Sequence, residues 1–93
     1  MIVQQLQIVN KLGLHTRAAA KLVQTASRFQ SEIQIARNGK TVDAKSIMDI
    51  LLLAAPYQAW LEFTFLGEDE DLALTEIEQL IYRRFGEDTS LSN

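Results

Sequence analysis

The sequence predicts an α+β fold, a two-layer open-faced sandwich in which one four-stranded antiparallel sheet carries three helices on one face. Two features of the 93 residues point to it. Segments in which apolar and polar residues alternate are interleaved with segments of helical apolar spacing, in the order β-α-β-β-α-β-α. The alternating segments have one polar face, which an antiparallel sheet can expose to solvent while helices cover the other face. A chain of this length forms one domain, residues 1–93, around one core.

The first strand and the first helix are separated by a glycine-containing break. Residues 2–9 place Leu6 and Ile8 on one side of a strand, and residues 10–13 interrupt this alternation. From Thr16 onward the apolar spacing becomes helical, and Thr16 is a suitable N-cap for the helix. The apolar positions that recur at helical intervals are Ala19, Leu22, Val23 and Ala26.

The middle of the chain predicts a β-hairpin followed by a second helix. Ile33 and Ile35 alternate with polar residues, and Asn38-Gly39 is a strong signal for a type I′ turn into a short strand. A second helix begins after Ser46, a good N-cap, and runs to about Ala54. It ends there because the residue before a proline, in this case Pro56, disfavours helical backbone.

The last strand and the third helix follow the same logic. Phenylalanine and leucine alternate with polar residues over 61–65, and the acidic run 68–71 suits the positive end of a helix dipole. The inward-facing positions of the third helix are Ala73, Ile77, Leu80 and Ile81. Arg83 and Arg84 are predicted in its last turn, and residues 86–93 in a frayed polar tail.

Composition excludes several classes of protein. The net charge of −3 argues against a general nucleic-acid binder, and the absence of cysteine removes disulfides and thiolate metal sites. The N-terminus lacks a signal peptide, and the longest apolar run, 50–55, is too short to cross a bilayer, so we expect a cytoplasmic protein without membrane insertion. Seven of the nine basic residues fall within 11–45, which fits either a locally positive face or scattered surface charge.

The only histidine, His15, lies where a loop meets the start of the first helix. Gly13 allows a sharp turn there, and the unpaired N–H groups and dipole of the helix favour an anion. The same dipole disfavours imidazolium, which keeps the ring nucleophilic, and Arg17 can place a guanidinium against phosphoryl oxygens. The ordinary alternatives are a surface histidine and a solvated arginine. No second general base, metal-ligand cluster or serine triad accompanies them, so a hydrolase or a metalloenzyme is poorly supported.

The motif Gly13-Leu14-His15-Thr16-Arg17-Ala18-Ala19 resembles the phosphohistidine motif of the HPr/NPr family, the histidine-containing carriers of the bacterial phosphoenolpyruvate-dependent phosphotransferase system. The resemblance extends from Leu6 to about Arg84, and it includes residues 38–40, 44–48 and 67–70. Residues 10–15 also resemble the nitrogen-related branch of the family. The family fold has the strand order 1-4-2-3 under three helices, in agreement with the pattern above.

The resemblance implies a phosphocarrier rather than a stand-alone enzyme. His15 would take a phosphoryl group on Nδ1 from enzyme I, originally from phosphoenolpyruvate, and pass it to an enzyme IIA protein in sugar transport or in the nitrogen-related relay. Arg17 would be the second catalytic residue and would help to position the phosphoryl group, which Thr16, Arg17 and Ala18 would bind. We expect a monomer that needs no metal or other cofactor. The alternative is an interaction module whose phosphorylation has become vestigial.

Two departures from the family pattern bear on these expectations. The family motif usually has proline after the arginine, where this chain has Ala18. Alanine keeps the helix intact and adds a free N–H near His15. We expect this change to alter how readily His15 transfers the phosphoryl group, and not to remove the site. The connection over residues 54–59 also lacks the glycine that the family usually has, so the sequence leaves its path open.

The second helix carries more apolar residues than a short helix needs. Periodicity alone favours burial of Ile47, Met48 and Leu51, whereas the matching family residues lie beside the histidine and contact partners. We therefore expect these three to form a docking patch, to which Thr16, Arg17 and Ala20 of the first helix contribute. Ser46 is either only an N-cap or, as in the HPr branch, also the target of a regulatory serine kinase.

Overall fold

The computed structural model describes residues 1–87 and has the predicted α+β architecture. Four strands form one antiparallel sheet in the order β1-β4-β2-β3, and the helices supply the second layer. The strands are β1 (Ile2–Gln7), β2 (Glu32–Arg37), β3 (Lys40–Asp43) and β4 (Trp60–Leu66), and the helices are α1 (Thr16–Ala26), α2 (Ile47–Leu52) and α3 (Glu70–Tyr82). A 3₁₀ turn at Arg84–Gly86 follows α3.

Alternation in the strands separates the core from the solvent face, as predicted. In β4, Leu61, Phe63 and Phe65 are fully buried, while Trp60 and Leu66 are exposed. The register pairs Leu6 of β1 with Leu61, so apolar side chains from neighbouring strands meet on the same face. The core between the layers also contains Ile8, Leu22, Ile33, Ile35, Ile50, Ala73, Ile77 and Ile81.

The hairpin between β2 and β3 has the predicted turn. Asn38 and Gly39 both have positive φ angles, 52° and 80°, as a type I′ turn requires. The second helix ends earlier than predicted, at Leu52, because Ala54 adopts a left-handed conformation with φ of 49°. The chain thus leaves the helix well before Pro56, by the same left-handed exit that glycine commonly makes.

The C-terminal part of the structure differs from the sequence-based expectation. The third helix ends at Tyr82, so Arg83 is its C-cap and Arg84 lies outside it, because the backbone turns left-handed at residues 84–86 with φ of 58°, 55° and 76°. The prediction of a frayed tail is wrong for Gly86, which belongs to the 3₁₀ turn, and for Glu87, whose carboxylate contacts Asn10 and His15. Residues 88–93 lie outside the described residues. Phe85 explains the difference: its side chain is only 1% exposed and anchors this turn in the core.

A polar contact joins the segment just before β2 to the start of α3. Asp69 accepts hydrogen bonds from the N–H of Gln30 at 2.8 Å, from the N–H of Ser31 at 3.0 Å and from the Ser31 hydroxyl. These donors, the Ser31 hydroxyl first and the Gln30 N–H next, lower the pKa of Asp69. Within residues 1–87 no helix has the length and apolar character needed to span a membrane.

Candidate functional site

The loop before α1 is held rigidly by the residue that ends the first strand's alternation. Asn10 is fully buried, and its Nδ2 donates to the carbonyl of Gly13 at 2.8 Å, while the Gly13 N–H donates to the Asn10 carbonyl at 3.0 Å. Gly13 has φ of 72°, and a Cβ there would lie 2.7 Å from the carbonyl oxygen of Ala55. The neighbouring Leu14 N–H donates to that same oxygen at 2.9 Å. The loop of residues 10–15, called the reactive loop below, is therefore packed directly against the 54–59 connection. Only glycine fits at position 13, where the two segments come this close.

The histidine is itself the N-cap of α1, which corrects the prediction that Thr16 caps the helix. His15 has extended backbone angles, and its Nδ1 accepts a hydrogen bond from the N–H of Arg17 at 3.2 Å. Its carbonyl accepts the first helical bond, from Ala19 at 2.8 Å. The imidazole thus performs the role usually taken by serine, threonine, asparagine or aspartate, and satisfies one orphan donor of the first turn. This leaves 29% of the side chain exposed.

The other ring nitrogen is bound by a residue from the far end of the chain. His15 Nε2 contacts Glu87 Oε2, and the second carboxylate oxygen of Glu87 accepts from Asn10 Nδ2 at 3.1 Å. Asn10 therefore bonds both to the reactive loop and to the carboxylate that touches the ring. The Glu87 side chain is only 14% exposed, so water screens this contact weakly.

The remaining predicted residues surround an open cleft of about 560 Å³ beside the imidazole. It is lined by Leu12, His15, Thr16, Arg17, Ala20 and Glu87. Thr16 and Arg17 are exposed, and among residues 1–87 the Arg17 guanidinium forms no hydrogen bond or ion pair. Ala18, by contrast, is completely buried at the third helical position, so only its backbone is positioned to contact a ligand. The structure brings His15, Thr16, Arg17 and Ala20 together as expected.

The second helix divides its apolar residues between core and surface. Ile50 and Leu53 are buried, Ile47 and Leu51 are half-buried, and Met48 is 70% exposed. The alternative prediction, that all of them are buried, is therefore wrong for Met48. Because α2 packs against α1, these exposed apolar groups share the helical layer with the start of α1. Two further exposed leucines, Leu12 and Leu52, were not predicted to belong to this surface.

Ser46 is the N-cap of α2, as predicted. Its hydroxyl oxygen accepts a hydrogen bond from the N–H of Asp49 at 3.3 Å, and its carbonyl accepts from the N–H of Ile50 at 3.0 Å. The side chain is half-buried, next to the apolar surface of Ile47, Met48 and Leu51, which we call the Met48 surface. A group added to this hydroxyl would meet the free N–H groups of the first turn.

Sequence reasoning missed Asn10 and Glu87 as parts of the site. Asn10 was identified only as the start of a break, and its burial had no signal in the local pattern. Glu87 is separated from His15 by 72 residues. A buried Phe85 two positions earlier was the available indication that the tail returns to the domain. No cluster of three metal-binding side chains occurs in the described part of the chain.

A family model described as the PTS HPr component phosphorylation site matches residues 2–83. The phosphocarrier protein HPr of Xylella fastidiosa (strain Temecula1) is 47% identical over 89 residues, which cover 96% of this chain and all of that protein. The HPr of Cupriavidus necator is 46% identical over 87 residues, covering 94% of this chain and 98% of that one.

Solved structures show the same fold. A crystal structure of HPr-C-His from Thermoanaerobacter tengcongensis matches with a TM-score of 0.91 and 41% identity, and covers 95% of this chain and 99% of that one. A structure described as an HPr dimer from the same organism matches with a TM-score of 0.76 and 44% identity, over 86% of this chain and 92% of that chain.

Proposed function

Since this chain belongs to the HPr family, the phosphocarriers of the phosphotransferase system, we propose that it carries its phosphoryl group on Nδ1 of His15. The observation that carries this assignment is the hydrogen bond from the Arg17 N–H to Nδ1. A ring nitrogen that accepts from an N–H is unprotonated and carries the lone pair, so Nδ1 is the nucleophilic nitrogen of the ring. The same N–H marks the positive end of α1, where an incoming anion is favoured.

Transfer to His15 exchanges one bond at phosphorus for another. The Nδ1 lone pair forms the new N–P bond while the bond between phosphorus and the donor atom breaks, and the electron pair of that bond returns to the donor. Nδ1 then no longer accepts from the Arg17 N–H, which becomes available to a phosphoryl oxygen. The Ala18 N–H in the same turn, absent where the family has proline, adds a second backbone donor. A nucleophile of the acceptor protein then attacks the same phosphorus, the N–P bond breaks, and its electron pair returns to Nδ1.

The exposed side chains around the cleft complete the phosphoryl site. Arg17 projects a planar guanidinium that can donate two parallel hydrogen bonds to phosphoryl oxygens. Thr16 offers a hydroxyl at the first helical position. The cleft is open, which suits a group that must be reached first by a donor protein and then by an acceptor.

The docking surface that we propose for these partners combines α1 and α2. As a member of the HPr family the chain has enzyme I and enzyme IIA proteins as partners. We assign their contact to Thr16, Arg17, Ala20, Ile47, Met48 and Leu51, with exposed Leu12 and Leu52 extending the apolar part. Methionine adapts its shape to different partners, which suits one surface that binds a donor and an acceptor in turn.

Regulation by a serine kinase at Ser46 is part of the same proposal. A phosphate at this N-cap would add charge at the edge of the apolar surface, where docking removes water. We also place the carrier in the cytoplasm and propose that it works as a monomer.

The vestigial interaction module is the second candidate function, and Ala18 is the only feature that favours it. Alanine at this position leaves α1 continuous from Thr16 to Ala26 and leaves the cap at His15 intact. The geometry needed for phosphoryl transfer is therefore present, which supports the carrier.

The test is phosphorylation by phosphoenolpyruvate and enzyme I from the same organism, with both the sugar-type and the nitrogen-type enzyme. Wild type should gain the mass of one phosphoryl group, and the adduct should be acid-labile and base-stable, as expected for an N–P bond. His15→Ala should fold and gain no mass, whereas Thr41→Ala, which removes an exposed hydroxyl on edge strand β3, should be labelled like wild type. Labelling of His15→Ala at an undiminished rate would refute the carrier assignment.

A further inference from the structure

We propose that Glu87 is a positioning residue for phosphoryl transfer, because its carboxylate accepts the Nε2 proton of His15 and so holds the lone pair of the ring on Nδ1. This inference rests on the proposed function and assigns a role to a residue outside the phosphohistidine motif. Three points support it: the C-terminal turn places Glu87 beside the ring, the contact of Glu87 selects one tautomer of His15, and the carboxylate stabilises the positive charge that develops on the ring during transfer.

The C-terminal turn is constructed so that Glu87 faces the histidine. Phe85 is buried in the core, and its carbonyl accepts a hydrogen bond from Lys21 Nζ of α1 at 2.6 Å. Left-handed backbone at three successive positions, 84–86, reverses the chain after α3. Two of these positions are not glycine, and side chains disfavour this backbone, so it persists only where packing enforces it. The turn that places Glu87 beside the ring is thus fixed by the burial of Phe85 and by the Lys21 hydrogen bond.

Both nitrogens of the imidazole have partners, and both partners require the neutral tautomer with its proton on Nε2. The Arg17 N–H donates to Nδ1, which requires a lone pair on that nitrogen. Glu87 Oε2 contacts Nε2 and, as a carboxylate, can only accept, which requires a proton on Nε2. The tautomer of a histidine is set by the hydrogen bonds of its two nitrogens, and here the two bonds exclude the other neutral form.

The carboxylate is itself fixed by a second donor. Asn10 Nδ2 holds Glu87 Oε1 at 3.1 Å and bonds to the Gly13 carbonyl within the reactive loop. This leaves Oε2 directed at the ring. The series Asn10, Glu87 and His15 therefore orients the imidazole in the way that outer carboxylates orient metal-bound or catalytic histidines.

Charge development favours this arrangement during the reaction. When Nδ1 attacks phosphorus, positive charge develops on the ring while the proton stays on Nε2. The Glu87 carboxylate lies in contact with that proton, whereas the phosphoryl oxygens approach the opposite side of the ring. The attraction acts over the shorter distance, so it exceeds the repulsion between the two anions.

The test combines a spectroscopic signature with a rate. Imidazole 15N shifts are recorded on unphosphorylated protein in alkaline buffer, and the rate of phosphorylation by enzyme I is measured for the same samples. Wild type should show the proton on Nε2 alone. In Glu87→Ala the Nδ1-protonated form should appear, and phosphorylation should slow about tenfold, which corresponds to about 1.4 kcal/mol. The control Glu68→Ala, which removes an exposed carboxylate from the loop before α3, should match wild type in both measurements.

A conservative variant separates charge from placement. In Glu87→Gln one of the two oxygens becomes an NH2 group, and Asn10 and His15 lie at different oxygens of the carboxylate, so only one of them keeps an acceptor in place. The tautomer population and the rate of Glu87→Gln should therefore lie between those of wild type and Glu87→Ala. An unchanged tautomer in Glu87→Ala, or an unchanged rate, would overturn the role of Glu87. A wild-type chain that accepts no phosphoryl group would instead refute the proposed function, and the inference with it.

Discussion

At the scale of single residues, Arg17 is the side chain on which transfer chemistry depends most directly after His15. Its backbone N–H bonds to Nδ1, and its guanidinium is exposed in the cleft. The two parts of the residue therefore have separate roles, because the backbone is fixed by the helix while the side chain is free to meet a phosphoryl group. A substitution that keeps the positive charge isolates the geometric contribution of the guanidinium.

Arg17→Lys should fold like wild type and transfer its phosphoryl group more slowly. An ammonium donates from one point, whereas the guanidinium donates two parallel hydrogen bonds to a planar set of oxygens, and loss of one charge-assisted bond corresponds to about 1.5–3 kcal/mol. Stopped-flow or quench measurements with enzyme I and with an enzyme IIA protein would give both rates. Equal rates for Arg17→Lys and wild type would show that Arg17 is only a solvated charge.

At the same scale, the sequence predicted the local part of the site and missed the distant part. His15, Thr16 and Arg17 are neighbours in the chain, so a helix start was enough to place them together. Glu87 depends on the burial of Phe85, for which one apolar residue in a polar segment was the only local indication, and on left-handed backbone, which has no local signal. Ala54 shows the same limit, since alanine at φ of 49° is disfavoured and periodicity predicted that the helix continues through it.

At the scale of elements, α2 is a short helix that depends on its cap. It spans six residues, and only Ile50 is buried within it, so the first turn needs the Ser46 hydroxyl bond to the Asp49 N–H. The sequence predicted this element and its cap correctly because serine before an apolar run is a local signal. It placed the end two residues too late, because helix ends respond to tertiary contacts more than to propensity.

Ser46→Asp should keep or slightly raise the thermal unfolding midpoint while it slows phosphorylation of His15 by enzyme I. Aspartate caps a helix as well as serine does and adds favourable charge at the positive end, but it also adds charge beside the Met48 surface. Ser46→Ala is the matched control: it should lose about 1 kcal/mol of unfolding free energy and keep the wild-type rate. A clear loss of stability in Ser46→Asp would contradict the cap, and an undiminished rate would remove Ser46 from the partner surface.

At the scale of the whole molecule, two carboxylates at the start of α3 tie separate parts of the chain together. Asp69 binds the two residues just before β2, and Glu70 accepts from the Gly67 N–H at 3.1 Å and pairs with the N-terminal amine of Met1 at 3.3 Å. The Gly67 N–H is the main cause of the lowered pKa of Glu70, as the Ser31 hydroxyl is for Asp69. These contacts tie the N-terminus and the segment before β2 to the start of α3.

The lowered pKa values predict that the protein loses stability in acid. A carboxyl group whose folded-state pKa lies below its unfolded value stabilises the fold fully above the unfolded value, here about 3.8 for Asp69, and loses that contribution as pH falls through the folded-state pKa. Denaturant unfolding at a series of pH values should show this decline for wild type. In Asp69→Asn the curve should start lower at neutral pH and fall less steeply, whereas Glu68→Gln should follow wild type. Equal slopes for Asp69→Asn and wild type would contradict the assigned shift.

The pairing of β1 with β4 also determines when, during synthesis, the carrier becomes usable. Strand β1 has no neighbour in the sheet until Trp60–Leu66 has emerged from the ribosome, since the order is β1-β4-β2-β3. The carboxylate that touches His15 emerges later still, at position 87. A nascent chain that already displays the whole phosphohistidine motif therefore lacks both the sheet beneath it and the contact beside it. The histidine is therefore synthesised 72 residues before the carboxylate that completes its surroundings.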